Sequence, residues 1–101
     1  MQSADQAPFI ERYAQEGLRL AQETGDQKIR ARSLVSLGLV HVERGALHDA
    51  IRTFEEAVQI NRRERDNRSL ASSLAYLCLV NYFQGKFRPV SWDSKSSEQF
   101  V

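Results

Sequence analysis

The chain has 101 residues, 42% hydrophobic and 27% charged, with a formal net charge of +1. That length holds one packed domain, and near-neutrality removes the bulk electrostatic case for nucleic acid or an anionic membrane surface. Cys78 is the sole cysteine, so no internal disulfide forms, and no apolar run is long enough for a membrane-spanning helix. The opening MQSADQAPFI lacks the basic region and apolar stretch of a secretory signal, and the expected location is cytoplasmic.

Both prolines, Pro8 and Pro89, sit near the ends, and the interior is rich in the helix formers Ala, Leu, Arg, Glu and Gln. Glycines and turn residues divide it into four helices. The first spans about 8–23, with Ile10, Ala14, Gly17, Leu18 and Ala21 on one stripe. Gly25 suits a left-handed position after it, and Asp26 suits the N-cap of the next helix. The second spans about 27–44, with Leu34, Leu37, Gly38 and His41 inward, and Gly45 stops it. The third spans about 47–64, with Leu47, Ala50, Ile51, Phe54, Ala57 and Val58 in register. Arg65-Asp66-Asn67 makes the next turn. The fourth spans about 69–84, with Leu70, Leu74, Leu77, Cys78 and Asn81 inward, and Gly85 closes it.

Shifting the chain by forty positions lays the first two helices on the last two. Arg12 falls on Arg52, Glu16 on Glu56, Asp26 on Asp66, Ala31 on Ala71, Ser33-Leu34 on Ser73-Leu74, Leu37 on Leu77 and Gly45 on Gly85. Turn residues and core stripe match together, which marks an internal repeat of helical hairpins. The expected fold is all-α: an α-solenoid of antiparallel hairpins over residues 8–87, followed by a polar, serine-rich tail at 88–101.

From Ala31, the stretch ARSLVSLGLVHVERGALHDAIRTFEEAVQI resembles a tetratricopeptide repeat. Leu34, Leu37, Gly38, Gly45, Ala50, Phe54 and Ala57 stand at the family's signature places. His41 replaces the usual Tyr, and Arg62 stands where a terminating Pro is usual. The period is similar to that of the long-helix subclass of kinesin light chain and bacterial regulators. The resemblance implies a concave groove lined by the first helix of each repeat: Arg32, Val35, Leu39, Val42 and Glu43, then Ser72, Ala75, Leu79, Tyr82 and Phe83. Val35 and Leu39 fit a buried stripe equally well, whereas Tyr82 and Phe83 suit an exposed aromatic anchor. Repeats that clamp acidic chaperone tails carry Lys and Asn where this chain has Val35 and Leu39, so that role is not expected.

Little else carries chemistry. Arg62, Arg63, Arg65 and Arg68 read as a solvated helix end rather than a phosphate contact. His41, His48 and Cys78 lack the spacing of a metal site, and no nucleophile elbow or phosphate loop occurs. The expected function is therefore protein–protein interaction without catalysis, cofactor or metal, the partner being a protein or peptide. Self-association and a regulatory role within a larger protein are the alternatives. The tail, KFRPVSWDSKSSEQFV, breaks the helical pattern and would leave the fourth helix uncovered. A homodimer, the folded-back tail, or a further repeat would each cover it.

Overall fold

A computed structural model describes residues 7–86, and these form α1 (Ala7–Thr24), α2 (Gln27–Glu43), α3 (Leu47–Arg63) and α4 (Asn67–Lys86). The tail at 88–101 lies outside the described residues. Each helix packs on the next, and α2 also touches α4 directly. Contacts between opposite ends show that successive helices are antiparallel. Arg44 near the end of α2 reaches Glu11 near the start of α1 at 3.0 Å. Likewise, Asn61 late in α3 donates to Ser73 early in α4 at 2.8 Å. The α-solenoid of helical hairpins read from the sequence is the observed arrangement.

The turns explain why the helices end where they do. Gly25 and Gly45 adopt φ of 76° and 77°, the left-handed region glycine enters without strain. After α2, Gly45 N–H donates to Val42 and Ala46 N–H to His41, a paired closure of the last turn. After α3 the same pair recurs with Arg65 donating to Arg62 and Asp66 to Asn61. Here the left-handed residue is Arg65, at φ 57°. Asp26 caps α2, its carboxylate accepting from the N–H groups of Lys28 and Ile29. Asp66 accepts from Ser69 N–H in the same manner and lets α4 start at Asn67, two residues earlier than the pattern suggested.

The core lies on both faces of α3. One cluster joins Ala31 and Leu34 of α2 to Ala57 and Ile60 of α3. A second joins Ala50 and Phe54 of α3 to Val80 of α4, with Tyr76 and Leu77 packed against it. Phe54 is fully buried and stacks on Tyr76, ring centroids 5.6 Å apart. Its far edge meets α2 at Gly38, where an added Cβ would lie 2.6 Å from the ring. Gly38 is thus the contact that lets α2 and α3 approach with a phenylalanine between them. Asn61 and Ser73, both buried, satisfy one another across the α3–α4 seam.

Three expectations need correction. Gly85 does not close the last helix, since α4 runs through it to Lys86. On α4, Leu74, Cys78 and Asn81 are exposed rather than inward. No described element covers that face. α4 instead buries Ser73 and Val80 against α3. On α1, Ile10 is 37% exposed, while Ala14 and Ala21 carry the packing against α2.

Candidate protein-binding groove

Because α2 and α4 run parallel and in contact, their outer faces form one continuous surface, and the residues expected to line a groove divide along it. At the N-terminal ends of both helices a cleft of about 410 Å³ opens between them. Arg32, Val35 and Ser72, three of the residues that the family resemblance implied for a groove, line it. Ser36, Arg68, Ser69 and Tyr76 join them, and the sequence pattern had not marked them as groove residues. Arg68 is separated here from the rest of its basic run. Helix spacing places Arg68 one turn before Ser72, but nothing in the sequence pattern marked it for the cleft.

Toward the C-terminal ends the surface becomes apolar. Leu39 is 37% exposed, Leu79 49% and Tyr82 61%. Ala75 is exposed beside them, and Glu43 is exposed at the margin. Phe83 is half-buried, its ring 5.9 Å from that of Tyr82 in a tilted pair. Val35 and Val42 are different. Both are half-buried and pack against the Phe54 cluster, so they support the core more than they present a surface. Leu39, one turn from each, points outward, which periodicity alone did not separate from them.

The cleft's electrostatics are cationic. Among the described residues Arg32 and Arg68 enter no ion pair, nor do Arg12, Arg62, Arg63 and Arg65, whereas Arg19, Arg30, Arg44 and Arg52 each have a carboxylate partner. Asp66, in the turn before α4, is a counter-charge to Arg32. Hydrogen bonds from Ser69 hold its carboxyl below the usual range; desolvation opposes them, and Lys28 and Arg32 add lesser lowering effects. Asp66 thus caps α4 and at the same time attracts Arg32. Among the described residues no group of three or more His, Cys, Asp or Glu side chains is placed to hold a metal. No described helix is long and apolar enough to cross a membrane.

A protein-family profile described as anaphase-promoting complex subunit 5 matches residues 24–83, from the turn before α2 almost to the end of α4. The chain belongs to this family. The match supports a tetratricopeptide-like helical repeat, and it covers both helices of the groove. It does not support the narrower likeness to kinesin light chain. No curated protein and no solved structure matches the chain.

Proposed function

We propose that this chain is a protein-interaction module that holds a segment of a partner protein along the α2–α4 surface, as a subunit of a multiprotein assembly. The observation that carries this reading is the polarity of the surface. Two unpaired arginines in a serine-lined cleft stand at one end, and the exposed row Leu39, Leu79 and Tyr82 stands at the other. At 1.5 Å per residue, Arg32 and Leu39 are roughly 10 Å apart along the axis, and Arg68 and Leu79 about 16 Å. A segment with an acidic side chain and apolar side chains three to five extended residues away fits that span. The family is named for a subunit of a protein complex, which agrees with a binding role.

Affinity capture with the immobilised chain, followed by mass spectrometry, tests the reading. Proteins held by the wild type should be lost when Leu39 and Leu79 are both changed to Asp, and weakened by Arg32→Glu. Undiminished capture by both variants at unchanged helix content would sink the groove as the binding surface.

A further inference from the structure

Both ends of the four-helix stack expose apolar side chains, and the forty-residue equivalence shows that the two ends match. α4 repeats α2, and α1 repeats α3. On α2, Ala31 and Leu34 are 2% and 6% exposed, and Gly38 is buried against Phe54 of α3. Their counterparts on α4, Ala71, Leu74 and Cys78, are all exposed. On α3, Ile60 is 2% exposed and closes the cluster with Ala31 and Leu34. Its counterpart on α1, Leu20, is 40% exposed, beside Tyr13 at 81%. Among the described residues, α4 is a helix of α2's kind without a following partner, and α1 is a helix of α3's kind without a preceding one.

The α1 end also has the space. A pocket of about 280 Å³ lies between α1 and α2, walled by Tyr13, Ala14, Gly17 and Leu20 on one side and Ser33 and Ser36 on the other. The corresponding place in the second hairpin is the cleft described above, and there α2 supplies a wall through Ala31 and Val35. Side-chain sizes agree as well. The Phe54 ring leaves no room for a side chain at residue 38. Ala14 holds the place of Phe54 on α1, and Cys78 holds the place of Gly38 on α4. The smaller residue at one end leaves room for the larger one at the other. Glu16, which holds the place of the ion-paired Glu56, already has Arg19 as its partner and would not be stranded.

We propose that a second copy of this chain docks head to tail, its α1 packing on the α4 of the first as α3 packs on α2. The contact is heterologous, so each dimer keeps one open α1 end and one open α4 end, and growth continues as an open or closed stack. In such a stack the α2 and α4 surfaces of successive copies join into a longer groove.

Sedimentation velocity on the full chain over a concentration series tests this. The average mass should climb past two chains rather than level off at a dimer. Leu74→Asp damages the α4 end and Leu20→Asp the α1 end, both at exposed positions, and each alone should weaken self-association on the order of tenfold or more. Mixed together, the two variants retain one good end each and should form a one-to-one dimer and nothing larger. Should either lose helical circular dichroism, Ala71→Glu and Tyr13→Glu replace them. The proposal is overturned by a wild type that stays a single chain at high micromolar concentration, or by a mixture that stays monomeric. Dimers of Leu20→Asp alone would also overturn it, by indicating a two-fold contact between α4 faces. Loss of the groove's partners with intact stacking would instead strike only the binding role proposed above.

Discussion

α2 and α4 descend from the same pattern yet live in different surroundings. α2 has α1 on one side and α3 on the other, so Ala31, Ser33, Leu34, Gly38 and Val40 are all buried. α4 packs on α3 with a small contact to α2, and among the described residues it buries only Ser73 and Val80. The matching residues Leu34 and Leu74 differ from 6% to 37% exposure with no change in residue type. A helix in a repeat stack therefore draws its burial from its neighbours rather than from its own sequence. The helix whose second face is open is the one available for association.

Truncating the paired leucines should show the largest difference. Leu34→Ala removes packing from a closed cluster and should cost about 3 kcal/mol, whereas Leu74→Ala should cost under ~1 kcal/mol in dilute solution. Urea denaturation of both variants measures this, and equal losses would mean that α4's outer face is covered in the monomer.

Enlarging the small residues should separate the two helices next. Gly38→Val drives two methyl groups into the Phe54 ring, with an expected loss of about 2 kcal/mol despite valine's better helix propensity. Cys78→Val meets no such ring and should stay within roughly 0.5 kcal/mol of wild type. Thermal melts at low concentration distinguish them.

The turns before the two helices offer a smaller contrast. Gly25 takes its left-handed conformation freely, while Arg65 takes the equivalent one with a side chain attached. Arg65→Gly should stabilise the chain by about 0.5–1 kcal/mol, checked by its denaturation midpoint. A destabilised variant would show that the arginine side chain contributes more than the strain it carries.

The smallest effect concerns the α4 cap. Hydrogen bonds from Ser69 lower the folded pKa of Asp66 below its ordinary value of 3.8. A depressed carboxylate contributes stability that is complete above the unfolded pKa and lost as pH falls through the folded one. Asp66→Asn should therefore flatten the dependence of melting temperature on pH below about 4 and leave the slope near neutrality unchanged. An unchanged acid slope would mean the cap bond is not formed in solution.

Much of the molecule was legible in one dimension. Four helices, their turn glycines, the Asp26 cap and the forty-residue period follow from local chemistry: φ > 0 favours Gly, orphan N–H groups favour a carboxylate, and apolar residues recur every three to four positions. Of the residues that the family resemblance implied for a groove, Arg32, Leu39, Leu79 and Tyr82 are exposed, whereas Val35 and Val42 turn partly into the core. Arg68 joined the site without notice, because a cleft between α2 and α4 depends on how far one hairpin rotates against the next.

By itself, then, the sequence determined the four helices, the first three turns and the helices' equivalence, since each depends on contacts within a few residues. Only the tertiary structure decided which of two equivalent stripes is interior. Leu34 and Leu74, or Ile60 and Leu20, are interchangeable to any periodicity argument. Burial belongs to the pair of surfaces and not to either residue. That distinction left Leu20 on α1 and Leu74 on α4 exposed, and it placed the arginine cleft and the apolar row on one outer surface.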